Sequence, residues 1–189
     1  MMGGWTPPAN LMPAGQPLTL DSAVTLAKAY LASWGSNPTL QVGEVMQFAQ
    51  NFYVRAVESS TGRGAFEFLI HPTNGAVWPE TGPNMMWNLH YGMMNSHMGM
   101  GFAANSADRG EKMTVAPDKA REDAQAYLDK AQSGTKISED ATAFYGYYTL
   151  DFSRDGKVVG MLSVNGYTGQ VWLHTWYGDF VKEVSQSNQ

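Results

Sequence analysis
The sequence predicts an α+β protein built of two like halves. Three observations predict it. A helical period opens each half, at Leu18–Trp34 and at Met113–Ala131. Short runs at strand period follow each helix, with turns of Gly, Asn and Asp between them. Landmark residues then recur in the same order in both halves.

Residues 1–17 carry Pro7, Pro8, Pro13 and Pro17 with Gly3, Gly4 and Gly15 and show no regular period. They read as an extended arm that Trp5, Leu11 and Met12 anchor. In Leu18–Trp34, Thr19 or Asp21 suits the N-cap, and Ala23, Leu26, Ala27, Tyr30, Leu31 and Trp34 recur at helical spacing. Gly35, Asn37 and Pro38 stop this helix. Strand-like pieces follow at Leu40–Phe48, Asn51–Glu58 and Ala65–His71, with a short one opening at Ala76.

The second half repeats the plan. Pro117 suits the first turn of a helix with Ala120, Ala124, Tyr127 and Leu128 on one face. Ala143–Phe152 and Val158–Val164 read as a hairpin across Asp155-Gly156. Gln170–Trp176 closes the sheet, and Tyr177–Gln189, apolar then polar, reads as a fraying tail.

Ala29-Tyr30-Leu31 matches Ala126-Tyr127-Leu128, Glu44 matches Glu139, and Phe52-Tyr53 matches Tyr147-Tyr148. Asn74-Gly75-Ala76-Val77-Trp78 matches Thr168-Gly169-Gln170-Val171-Trp172. A helix, then an antiparallel sheet ending in a turn Gly and x-Val-Trp, resembles the PepSY domain family. The expected organisation is an arm over 1–17, PepSY-like units over 18–80 and 113–178, a Met/His/Gly-rich connector over 81–112, and a tail over 179–189. The resemblance implies a small secreted or membrane-associated module that is not an enzyme, with no catalytic set to carry over. It also implies a periplasmic or extracellular location, with any signal peptide already removed. A unit of about 60 residues is marginal alone; two copies could share a core, by packing sheets or by pairing edges into one larger sheet, and Leu31, Trp78, Leu128 and Trp172, counterparts across the repeat, are expected to be buried.

Composition narrows the function. Net charge is −5 with no basic run, which disfavours a nucleic-acid partner. No apolar run approaches the roughly 20 residues of a membrane span. The chain has no cysteine, so disulfides, thiolate metal sites and thiol catalysis are excluded. MMGGWTPPAN has neither the basic nor the apolar region of a signal peptide, as expected of a cytoplasmic chain or a mature one.

Phosphate loops, nucleophile elbows and His-Glu-x-x-His are all missing from the sequence. Glu58, Glu67, Glu80, Asp151 and Asp179 fall in different elements. The plain reading of Glu67 and Asp151 is the solvent side of a half-exposed strand. His71 reads as a strand-end residue and His174 as a buried or stacked one.

The connector stands apart. Met85–Gly101 holds six of the 12 methionines and two of the four histidines. On a helix, His90, Met93, Met94, His97 and Met98 share one face. Soft thioethers with imidazoles suit copper(I) or silver(I), with His90, Met94 and His97 as ligands and Met93 or Met98 adding another. The plain alternative is packing, since methionine fills irregular gaps and Gly92, Gly99 and Gly101 interrupt a helix.

The sequence therefore reads first as a non-catalytic binding or assembly module of the cell envelope or exterior. A copper-binding protein is one alternative. The other is a self-assembling structural subunit, a homo-oligomer joined through sheet edges and the N-terminal arm.

Overall fold
The structure is a computed structural model, and it describes residues 5–12, 16–35, 39–92 and 112–185. It is an α+β chain with two antiparallel sheets, divided into two compact units. Unit 1 comprises residues 1–80 and 176–189, and unit 2 comprises residues 81–175.

Unit 1 begins with helix α1 (Leu20–Ala32). Thr19 is the N-cap, its hydroxyl accepting from the Ser22 amide at 3.2 Å, and Asp21 complements the helix dipole in the first turn. Leu20, Ala23, Leu26, Ala27 and Leu31 are the buried face. Strands β1 (Leu40–Phe48), β2 (Phe52–Glu58), β3 (Gly64–Ile70) and β4 (Val77–Pro79) follow. β10 (Phe180–Ser185) completes the sheet, in the order β10-β1-β2-β3-β4.

The fraying expected after Tyr177 is therefore not what occurs: Phe180–Ser185 is the edge strand of this sheet, paired antiparallel with β1. Its partner is remote in sequence and its own pattern, FVKEVS, alternates poorly, so no local signal marks it. At the arm, Trp5 bridges to Val77 and meets Tyr30 edge-on at 5.6 Å.

In unit 2 a one-turn helix α2 (Pro83–Met86) precedes α3 (Pro117–Ala131). Pro117 sits in the first turn of α3, with Asp118 near its start and Lys130 near its end, as the dipole favours. Five strands follow: β5 (Lys136–Ile137), β6 (Thr142–Ala143), β7 (Tyr147–Arg154), β8 (Lys157–Asn165) and β9 (Val171–Leu173). The sheet order is β5-β7-β8-β9, and β6 also pairs with β7. Asp155 (φ 51°) and Gly156 (φ 76°) form the tight turn between β7 and β8, with Arg154 opposite Lys157, as Asp-Gly predicts.

Ala120, Ala124 and Leu128 pack on Tyr148, Leu150, Phe152, Leu162 and Val164 to form the core of unit 2. Leu31 and Leu128 are buried as expected, but Trp78 and Trp172 are only half-buried. Strand alternation explains Trp172. Val171 and Leu173 pack toward the helix, so Trp172 points to the opposite sheet face, where it meets Trp87 edge-on at 5.7 Å.

Candidate functional site
A row of polar residues crosses the sheet of unit 1. Ser185, Glu44, Arg55 and Glu67 are successive register partners on β10, β1, β2 and β3. Glu80, one residue past β4, extends the row, because its amide donates to the Glu67 carbonyl at 3.0 Å. Strand alternation puts these side chains on one face.

The row is paired along its length. The Ser185 hydroxyl donates to Glu44 at 3.2 Å, and Arg55 stands 3.6 Å from the other Glu44 oxygen. Tyr53 donates to Glu67 at 2.7 Å. Glu80 Oε1 accepts from the Trp176 indole at 3.2 Å and from the Tyr177 hydroxyl. Tyr177 also stacks on Phe48 at 4.5 Å.

Glu67 and Glu80 are both 0% exposed. Glu67 therefore does not take the solvent side expected of it. A signal was present in the sequence: β3 reads GAFEFLI, apolar on both alternating sets, and such runs mark strands covered on both faces. Asp151, half-buried on β7, keeps some of its expected exposure.

Burial pushes the Glu80 carboxyl well above the usual carboxylate range, and the neighbouring Glu67 charge pushes it the same way. The two carboxyls lie near each other on this buried face, and a proton on Glu80 removes the repulsion between them. Tyr53 is likewise held well above its ordinary value, first by burial and then by Glu67 and Glu80, so it keeps its proton and donates. This group can hold a proton away from solvent.

Unit 2 holds a smaller polar chain. Thr149 and Ser163 are register partners with hydroxyls 3.0 Å apart, and Ser163 meets His174 Nε2 at 3.0 Å. Burial lowers the His174 pKa to about 3, so its ring is neutral. The expectation of a buried histidine here matches the structure. Although serine and histidine are the pair used in nucleophilic catalysis, Ser163 is 0% exposed, which places the contact inside the fold.

Of the five residues expected to ligate copper, only His90 is among the described residues; Met93, Met94, His97 and Met98 lie outside them. His90 sits in a turn after α2, not on a helix. Its exposed ring lies beside Tyr145 at 4.6 Å and Tyr91 at 4.8 Å. Among the described residues, no group of three or more His, Cys, Asp or Glu is placed to hold a metal ion. Nor is any helix among them long and apolar enough to cross a membrane.

No protein-family profile matches the chain, and no curated protein matches it. Among solved structures the chain is similar to the Bacillus megaterium YpeB C-terminal domain, at 12% sequence identity and a TM-score of 0.29. The alignment covers 83% of this chain and 62% of that one, so the chain spans less than two thirds of the length of the structure it matches. A TM-score that low does not equate the two folds.

Proposed function
We propose that the chain is a non-catalytic binding and assembly module of the cell envelope or exterior, built of two PepSY-like repeats. The repeat is supported by matching backbone hydrogen bonds within each unit. Leu18 donates to Pro72 as Val115 does to Gly166, and His71 donates to Ala76 as Asn165 does to Gln170. Gly75 donates to His71 as Gly169 does to Asn165, and Glu80 to Glu67 as His174 does to Met161. This alignment sets Phe52 against Tyr148, one residue away from the pairing the sequence suggests.

One observation carries the non-catalytic reading. The acid and imidazole groups best suited to chemistry, Glu67, Glu80 and His174, are buried and bonded within their own units. Large apolar side chains instead reach the surface at Trp34, Met86, Val159, Tyr167 and Val181. Site-specific photocrosslinking from positions 34 and 181, in cells making the chain from its native gene, is expected to trap discrete envelope or exterior adducts. Trp34→Ala and Val181→Lys should reduce them with the fold retained. Adducts confined to the cytoplasm, or none from either position, would refute the reading.

Copper binding is the second reading, favoured by the exposure of the His90 imidazole just before the methionine-rich segment. Anaerobic titration should show copper(I) binding more tightly than zinc(II), because thioethers are soft. The double variant His90→Ala, His97→Ala should abolish it. No uptake by the wild type would end this reading.

A further inference from the structure
β4 and β9 are counterpart edge strands, each the last in its sheet order. Val77 lies opposite Ile70 as Val171 lies opposite Val164, and Pro79 opposite Phe68 as Leu173 opposite Leu162. The two edges are finished differently. On β4 the Val77 amide donates to the Trp5 carbonyl at 3.3 Å, Val77 is 2% exposed, and Pro79 has no amide to offer. On β9 a leucine takes the place of that proline, and Val171, Trp172 and Leu173 are half-buried. Among the described residues, no strand or bridge pairs with the outer side of β9. We propose that β9 pairs with β9 of a second copy of the chain, antiparallel about a two-fold axis at Trp172.

The inner bonds of β9 fix the direction of its outer groups. Asn165 donates to the Gln170 carbonyl and His174 to the Met161 carbonyl, so Gln170, Trp172 and His174 bond toward β8. The amides and carbonyls of Val171 and Leu173 therefore point away from it. In the proposed register Val171 of one copy lies opposite Leu173 of the other, and all of these outward groups find partners. Both residues already pack on the core of unit 2, so the pairing joins two apolar faces. Trp172 meets its own counterpart on the opposite face, at the non-bonded position where cross-strand side chains lie closest.

A symmetric contact sets each residue against its own kind or its mirror position, and charge decides which edge tolerates that. Residues 168–176 contain no Asp, Glu, Lys or Arg. Pairing β10 with itself about Lys182 or Glu183 would oppose like charges, and β5 carries Lys136. Lysine, proline and covering segments guard natural edges, and β4, β5 and β10 each have one of them where β9 has none. With three residues the ladder is short, so the dimer is weak and forms as concentration rises.

This pairing rests on the assembly reading above and names a partner for it. Sedimentation equilibrium of the full chain should show the mass rising from one chain toward two as concentration approaches roughly 1 mM. Over the same range the Val171 and Leu173 amides should gain protection from hydrogen exchange. Trp172→Lys and Trp172→Glu should each weaken association at least about tenfold, because like charges then meet at the axis. Mixing the two variants should restore it, because unlike charges then meet there. The two wild-type measurements decide the matter even where a variant fails to fold. A monomer at every concentration, equal protection of both amides in dilute protein, or a mixture that associates no better than its components would overturn the pairing. Adducts from positions 34 and 181, both in unit 1, with no dimer would remove β9 pairing and leave the wider reading in place.

Discussion

Glu67 and Glu80 are cross-strand partners, joined by a backbone hydrogen bond of 3.0 Å, with neither side chain reaching solvent. A pair of acids in that position makes the loss of the side chain and the loss of its charge two separate experiments. Glu80→Ala removes an acceptor of the half-buried Trp176 indole and of the buried Tyr177 hydroxyl, at a cost of roughly 1–3 kcal/mol. Glu80→Gln keeps an acceptor and should cost markedly less. Urea denaturation at mildly acid pH, where Glu80 is neutral, checks the order.

His174 responds to pH in the opposite direction to Glu80. Its folded value is lowered from 6.5 to about 3, so the unfolded chain binds more protons between those values. The contribution of the neutral ring is fully present above 6.5 and is lost as pH falls toward about 3. Urea midpoints should therefore drop on acidification in the wild type. In His174→Gln, which can still bond Ser163, this part of the drop should disappear.

Core substitutions should separate the two residue classes that the sequence groups together. Leu128→Ala removes a fully buried side chain from between α3 and its sheet and should cost about 2–5 kcal/mol. Trp172→Ala should cost less than the roughly 3–5 kcal/mol of a fully buried tryptophan, because half-burial leaves less area to lose. Equilibrium unfolding of the two variants side by side tests this. Equal losses would show that Trp172 contributes as core.

Glycine-to-alanine changes at positions 156 and 160 should both destabilise, for different reasons. At Gly156 a Cβ meets open space, so the cost, about 1 kcal/mol, comes from the left-handed backbone at φ 76°. At Gly160 the backbone is ordinary, but a Cβ would come within 2.5 Å of the Phe152 ring, and overpacking of this kind costs roughly 1–3 kcal/mol. Phe152→Leu should partly rescue Gly160→Ala and leave Gly156→Ala unchanged. A double-mutant cycle measures this.

The fold was legible wherever the signal is local. Thr19 caps α1, Pro117 opens α3, and Asp155-Gly156 turns the hairpin, as their chemistry predicts. The errors are non-local. β10 pairs with a strand more than a hundred residues earlier, and no window of sequence contains both partners. The Trp78 and Trp172 expectation failed because size alone does not tell which face of a strand a residue occupies. The polar row was legible only in its parts. Glu67 within an otherwise apolar strand was a warning, but the meeting of Tyr53 and Glu80 with it, and of Tyr177 with Glu80, depends on pairing between strands remote in sequence.

The division of unit 1 between the two ends of the chain has a consequence during synthesis. As the ribosome proceeds from the N-terminus, α1 and β1–β4 emerge first, yet β1 lacks its edge partner and Glu80 its Tyr177 until residues 176–185 have been made. Every residue of unit 2 is translated before that point. Unit 2 is thus the first to have its full complement of strands, although it comes second in the sequence. For an interval of about ten seconds, at some 5–20 residues per second, the nascent chain presents the β1 edge uncovered. A trigger for misassembly would act in that interval, and the codons for residues 176–185 close it.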